Sequence, residues 1–294
     1  MSLFKDRDDV YAKWWENKKK ATSGYSPVCL NQWQVGLCNK PKVSCTKCAI
    51  KLYAAFDKHV IEDHLRGNIV AGIYQMLPDE TCYFLAMDFD EADWQNDISV
   101  VREICTEFNI PVAVERSKSG NGGHVWFFFE NRMSAVFVRK FGTALVTFSM
   151  NRRHEIRFKS YDRLFPSQDT MPKGGFGNLI ALPFQKSSRK DSNSEFVDEN
   201  FESYGDQWAF LSSMQKISED RIDSLISELC YGHELGVLKV DEEETQKPWK
   251  THKVPLQKSD FPKQISIVKA NMLFIPKAAI FPKGVESSKK IGLF

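Results

Sequence analysis

The apolar run Tyr83-Phe84-Leu85-Ala86-Met87 leads directly into Asp88-Phe89-Asp90. A short apolar run that stops at charge reads as a buried strand. Side chains two apart on a strand point the same way, so Asp88 and Asp90 share a face. Two carboxylates held together there need a cation between them. Further on, Ser119-Gly120-Asn121-Gly122-Gly123 delivers His124 onto a second strand, Val125-Trp126-Phe127-Phe128-Phe129. Small residues before the histidine let backbone N–H groups approach a phosphate. A metal-holding carboxylate pair beside a phosphate-holding turn points to nucleotide chemistry. Either element alone is weak: Asp-x-Asp also serves glycosyltransferases and phosphohydrolases, and a Gly-rich turn is more often a plain hairpin.

At 294 residues the chain has room for one large domain or two to three smaller ones. No apolar run reaches the length of a membrane span, and the start, Met1 to Lys20, is polar and charged rather than a signal peptide. A cytoplasmic protein with no membrane partner is expected. Seven Cys, an odd count, argue against a disulfide framework and for reduced thiols or metal. The net charge of +2 hides an asymmetry. Residues 1–55 carry ten basic and four acidic side chains (net +6), and residues 248–294 carry nine and two (net +7). Between them, residues 56–185 carry fourteen and seventeen (net −3), and residues 186–247 seven and fifteen (net −8). Basic ends around an acidic middle suit a protein that grips a polyanion at its periphery and holds metal at its centre.

Hydrophobic spacing predicts an amphipathic helix over residues 5–21, with Val10, Tyr11 and Trp14 on one face. Helices are also expected at residues 56–66 (ending at Gly67), 95–108, 134–149, 206–214 and 218–231. Strands are expected at residues 69–76, 82–89, 112–116, 124–129, 155–159 and 178–182, with a Gly/Pro-rich segment over 161–177. Residues 240–265 read as a linker. The mixed order, with helices covering one face of a sheet, gives the class α+β.

Cys29, Cys38, Cys45 and Cys48 lie within twenty residues, with Gly36 and Pro41 supplying turns between them. The Cys45-x2-Cys48 pair is a metal knuckle, and four thiolates make a tetrahedral structural site for Zn2+. A short segment without an apolar core needs such a staple. Lys40, Lys42, Lys47 and Lys51, with Trp33 and Tyr53, surround the knuckle and suit single-stranded nucleic acid; a purely structural module fits equally. Cys82, Cys105 and Cys230 sit in apolar patterns and read as core.

With these residues in hand, the chain resembles the archaeo-eukaryotic primase superfamily, and within it the primase domain of bacterial TOTE conflict-system primase–helicase proteins. The resemblance runs through the Cys cluster with Asn31-x-Trp33, the Asp88-Phe89-Asp90 strand, and Glu115-Arg116-Ser117-Lys118-Ser119-Gly120 through Trp126. It continues in residues 160–169, 174–183 and Asp206-Gln207-Trp208. Residues 268–275 resemble the connector that precedes a helicase domain.

The resemblance implies an RRM-like catalytic core over residues 56–235, behind a basic helix and four-cysteine zinc module over 1–55 and before a basic linker over 236–294. It implies a DNA primase, a template-dependent nucleotidyltransferase. Asp88, Asp90 and a third carboxylate would hold Mg2+ or Mn2+. Asp169, before the strand at 178–182, is favoured over Asp162 for that third position, Asp162 being assigned to a nearby Arg. His124, with Ser119, Gly122 and Gly123, would hold the triphosphate, supported by Arg116, Lys118 and Lys173; Asn178 would meet the ribose or a phosphate. The implied partners are a single-stranded DNA or RNA template, nucleoside triphosphates, and a helicase domain or partner beyond residue 294. The rival classes are a metal-dependent nuclease or phosphohydrolase and a non-catalytic single-strand binder.

Overall fold

In the computed structural model, which describes residues 3–91, 93–152 and 158–230, the expected first helix is instead a hairpin. Strand β1 (Ala12–Asn17) pairs antiparallel with β2 (Thr22–Pro27). Aromatic side chains suit a pleated, half-buried surface. Trp14 stands opposite Tyr25, their rings edge to face with centroids 5.0 Å apart. Helical spacing in residues 5–21 is outweighed by this cross-strand pairing, whose partner lies outside the window that shows the spacing.

Most later elements fall where the periodicity places them. They are α1 (Lys58–Arg66), β3 (Ala71–Ile73), β4 (Thr81–Asp90), α2 (Trp94–Glu107), β5 (Ala113–Arg116), β6 (Gly122–Ser134) and α3 (Ala135–Arg152). Asp57 caps α1 by accepting the Val60 N–H, and the helix ends at Gly67 in the left-handed region. The strand expected at residues 155–159 falls mostly outside the described residues. The described strand is β7 (Tyr161–Phe165), inside the stretch read as irregular. β8 (Ile180–Ala181) is shorter than expected. A four-residue helix, α4 (Lys186–Arg189), and a two-residue strand, β9 (Glu195–Phe196), carry no clear sequence signal. Helices α5 (Gln207–Ser213) and α6 (Glu219–Leu229) sit as expected. The linker at 240–265 and the rest of 236–294 lie outside the described residues.

Two sheets form, in the orders β2-β1-β3-β8 and β7-β4-β6-β5-β9, every named pairing antiparallel. The fold is α+β, as expected. Strand parity decides what each face meets. Leu85, Met87 and Phe89 of β4, with Val125, Phe127 and Phe129 of β6, join Ile98 and Val101 of α2, Phe141 and Leu145 of α3 and Ile222 of α6. Phe84, Ala86, Trp126 and Phe128 point the other way and join Ala71, Ile73 and Ile180 of the smaller sheet. Burial on both faces explains why these strands read as unbroken apolar runs. The same parity carries Asp88, Asp90 and His124 onto the face shared with the smaller sheet.

His64 ties α1 to this arrangement. Its Nε2 donates to the Pro183 carbonyl at 2.9 Å, and its Nδ1 accepts the Ala71 N–H at 3.0 Å. Both bonds suit the neutral ring, and burial, opposed by the carbonyls of Pro183 and Leu182, holds its pKa below the usual 6.5. The unfolded chain therefore binds this proton more readily. The stabilisation from His64 is present above about pH 6.5 and is lost as pH falls toward the folded-state value. The Tm difference between wild type and His64→Gln is expected to shrink from pH 7 to pH 5; a constant difference would remove this role.

Candidate active site

Asp88 and Asp90 lie at the end of β4, and a fault in the β4–β7 ladder brings a third carboxylate to them. Asp88 stands opposite Arg163, whereas Phe89 stands opposite Tyr161, which leaves Asp162 as the extra residue of a β-bulge. Bulges re-aim a side chain. Oxygens of Asp88, Asp90 and Asp162 lie within 4.8 Å of one another. The bulge is anchored from behind. Buried Asp97 of α2 accepts the Ser160 N–H at 3.2 Å and the Ser160 hydroxyl at 2.5 Å, and the Ser160 carbonyl accepts the Asp90 N–H at 2.6 Å.

Asp169, expected as the third carboxylate, lies outside this group and pairs with Arg139 of α3. Asp162 does contact an arginine, Arg163 Nε at 2.8 Å, yet still joins the pair. Burial raises the Asp88 pKa; His124 opposes the rise, while Asp90 and Asp162 add to it. Three acidic groups crowded this way fit a divalent ion, which would relieve their repulsion.

His124 of β6 stands opposite Asp88, with Nε2 3.5 Å from Asp88 Oδ1. Its Nδ1 lies 3.0 Å from Oε2 of Glu115 on β5, and that oxygen also accepts the Trp126 indole N–H at 3.1 Å. Burial opposes charging the imidazole, but Glu115, by charge and hydrogen bond, and then Asp88 and Asp90 raise its pKa. These neighbours favour the charged form of the ring beside the carboxylates. Glu115, 1% exposed, was missed as its orienting partner; the available signal was an acidic residue in an otherwise apolar strand.

The glycines expected to cradle a phosphate also have a packing role. Gly122 and Gly123 are buried strand residues paired with Asp90 and Phe89. A Cβ on Gly122 would lie 2.4 Å from the Phe89 carbonyl oxygen and 2.7 Å from Asp90 Oδ1; one on Gly123 would lie 2.7 Å from the Trp94 ring. They permit close packing at the site. Ser119 shapes the turn, contacting the Ser117 hydroxyl at 3.1 Å and accepting the Asn121 N–H at 3.3 Å. Arg116 is engaged by the carbonyls of Ser192 and Phe201. Lys118 places its ammonium 3.7 Å from the Trp14 ring centroid, and burial lowers its pKa. Lys173 is exposed and lines neither of the two clefts at the site.

The first cleft, about 400 Å³, lies between the sheets and holds Asp88, His124, Asp162 and Arg163 on one side and Trp14, Tyr25, Asn178 and Ile180 on the other. The Asn178 carboxamide oxygen accepts the Ser167 N–H at 3.2 Å and the Ser167 hydroxyl at 2.5 Å. The Tyr25 hydroxyl is buried with no hydrogen-bond partner among the described residues. Asp90 faces a second, more open cleft with Glu91, Trp94 and Asn121. The Trp14–Tyr25 wall was not foreseen, because the spacing of residues 5–21 predicts a helix.

The cysteine segment is less closed. Cys29 bridges Tyr53, whose phenol pKa is raised by burial and by the thiols of Cys45, Cys29 and Cys48. Cys38 accepts the N–H groups of Lys40 and Trp33, which lower its thiol pKa. Cys29, Cys38, Cys45 and Cys48 are all free thiols. Among the described residues the aspartate trio alone brings three or more ligating atoms within 4.8 Å of one another; the four sulfurs are not drawn that close.

An antiparallel sheet with three convergent carboxylates and a fixed imidazole, opening on a nucleotide-sized cleft, defines a candidate divalent-metal site for phosphate chemistry. The family model described as "TOTE conflict system, Archaeo-Eukaryotic Primase domain" matches residues 1–225, and the chain belongs to that family. Family membership makes it a nucleotidyltransferase of the primase-polymerase kind, a class that uses divalent metals and acts on nucleic-acid templates and nucleotides. Among solved structures it is similar to the archaeo-eukaryotic primase domain of the cyanophage S-2L primase-polymerase, at 13% identity and TM-score 0.34, over 72% of this chain and 92% of that one. It is also similar to the polymerase domain of Mycobacterium tuberculosis Ligase D in complex with DNA, at 12% identity and TM-score 0.36, over 77% and 82%. No curated protein matches the chain. No described helix is long and apolar enough to cross a membrane.

Proposed function

We propose that this chain is a template-directed DNA primase-polymerase whose reacting centre is the cluster of Asp88, Asp90 and Asp162. The observation that carries the reading is the convergence of these carboxylates beside His124 at the mouth of the cleft. In the reaction a 3′-hydroxyl oxygen bonds to the α-phosphorus of a nucleoside triphosphate, and the bond to the β-phosphate bridging oxygen breaks, releasing pyrophosphate. The three aspartates would hold two divalent ions, Mg2+ or Mn2+, which when bound acidify the attacking hydroxyl and neutralise the leaving group. His124, held by Glu115, binds a triphosphate oxygen through Nε2–H, a charge-assisted bond that a neutral side chain would not supply. Trp14 and Tyr25 form the wall for base and sugar, and a cleft of this volume suits one nucleotide. The template is single-stranded DNA or RNA. The basic segment 236–294 and the TOTE association fit a helicase as the working partner.

Incubation with template, each nucleotide set and Mn2+, followed by electrophoresis, tests this reading. Growing products are expected; shrinking ones mean a nuclease, and a shift without turnover means a binding module.

Cys29, Cys38, Cys45 and Cys48 are proposed to hold one structural Zn2+. Support comes from the amide bonds to Cys38, a typical thiolate environment, and from three thiols acting on one phenol. Metal analysis of freshly reduced protein is expected to give one zinc per chain, lost in Cys45→Ser or Cys48→Ser; its absence from wild type would refute the site.

A further inference from the structure

Residues 17–56 contain seven lysines and no acidic side chain. The same stretch holds most of the exposed large hydrophobic side chains among the described residues. Of the ten large hydrophobic side chains exposed among the described residues, seven lie within residues 30–52, including Leu30, Trp33, Val35, Ile50 and Leu52. A patch that is apolar and carries charge of one sign only is a binding surface rather than a solvated face.

Trp33 is its focus. The side chain is 66% exposed, and its backbone sits at φ 65, a conformation that costs a non-glycine residue energy. That backbone is fixed on both sides: the Gln34 carboxamide donates to the Leu30 carbonyl at 2.7 Å, and the Cys38 N–H donates to the Gln34 carbonyl at 2.8 Å. An indole held outward by a constrained turn is not there for packing. The Lys40 ammonium lies 5.7 Å from its ring centroid, and the Lys51 ammonium 6.0 Å from that of Tyr53. The two groups belong to one surface, because Leu30 and Asn31 bond to the carbonyls of Leu52 and Ile50.

We infer that this surface is a single-strand platform: an unpaired base stacks on Trp33 while Lys40 and Lys51 meet the flanking phosphates. Aromatic faces interleaved with cations recognise single-stranded nucleic acid, since a duplex keeps its base faces covered. A protein partner would have to match a segment that carries seven lysines and no acidic side chain of its own. The inference rests on the polymerase reading and extends it by naming where the chain grips its template, but its test uses no turnover.

Fluorescence anisotropy of a labelled single strand of about 20 nucleotides, long enough to span a site of this kind, is titrated with the full chain in the absence of nucleotide. Trp33→Ala is expected to weaken binding about tenfold, with Trp33→Phe keeping most of the affinity. The Lys40→Ala/Lys51→Ala double variant is expected to reduce the salt slope by about 1.4, two phosphates at about 0.7 each. Equal melting temperatures show that the exposed substitution left the fold intact. Unchanged affinity in Trp33→Ala overturns the proposal. So does equally tight, equally Trp33-dependent binding of the matching duplex, or binding to anionic vesicles that an excess of oligonucleotide does not displace. Asp88→Ala separates the two readings. If it binds the strand normally and wild type makes no product, the platform stands and the polymerase reading fails. If Trp33→Ala binds normally while wild type extends primers, the reverse holds.

Discussion

Asp162→Ala is expected to lower nucleotide incorporation on the order of a thousandfold or more, as are Asp88→Ala and Asp90→Ala, because a lost ligand removes several kcal/mol of transition-state stabilisation. Asp169→Ala should stay within a few-fold of wild type, about the scale of a modest ion-pair effect. The difference follows from geometry. Asp162 is turned into the cluster by the β-bulge, whereas Asp169 is held on Arg139. Asp162 is partly exposed, so its loss should leave the fold intact. Single-turnover extension of an annealed primer measures this, with strand binding as the control. An Asp169→Ala protein as inactive as Asp162→Ala would return the third position to Asp169. More than roughly a tenth of wild-type turnover in Asp88→Ala would remove the catalytic assignment altogether.

His124→Ala is expected to raise KM for the nucleotide and lower kcat, with kcat/KM falling by about 30- to 150-fold, the equivalent of a charge-assisted hydrogen bond of about 2–3 kcal/mol. The imidazole is held at both ends, by Glu115 on Nδ1 and beside Asp88 at Nε2, so its cation is placed before any substrate arrives. Glu115→Gln keeps the side chain's size and an oxygen for the Trp126 indole but removes the charge that favours the imidazolium. Its effect should fall between wild type and His124→Ala. Steady-state kinetics over a nucleotide series separates KM from kcat. If both are unchanged in His124→Ala, the histidine only packs the strand.

The sequence by itself determined the α+β class, most element positions and two of the three carboxylates. These are local matters. An apolar run bounded by charge, two aspartates on one face of a strand and a helix ending at Gly67 need no knowledge of distant chain. The motif residues were legible for the same reason, and they place the chain in its family.

Tertiary structure alone decided the rest. The N-terminal hairpin pairs Trp14 with Tyr25 across a ladder, and Tyr25 lies outside the 5–21 stretch whose spacing reads as helical. Asp162 joins Asp88 and Asp90 because one residue is inserted in the β4–β7 register, a fault that exists only once two strands are side by side. Glu115 acts on His124 because β5 pairs with β6 in a register that faces them. The roles of Gly122 and Arg116 turned on neighbours: Phe89 and Asp90 for one, the carbonyls of Ser192 and Phe201 for the other. Periodicity reports which way a side chain points along its own element; what it meets is set by the elements that pack against it.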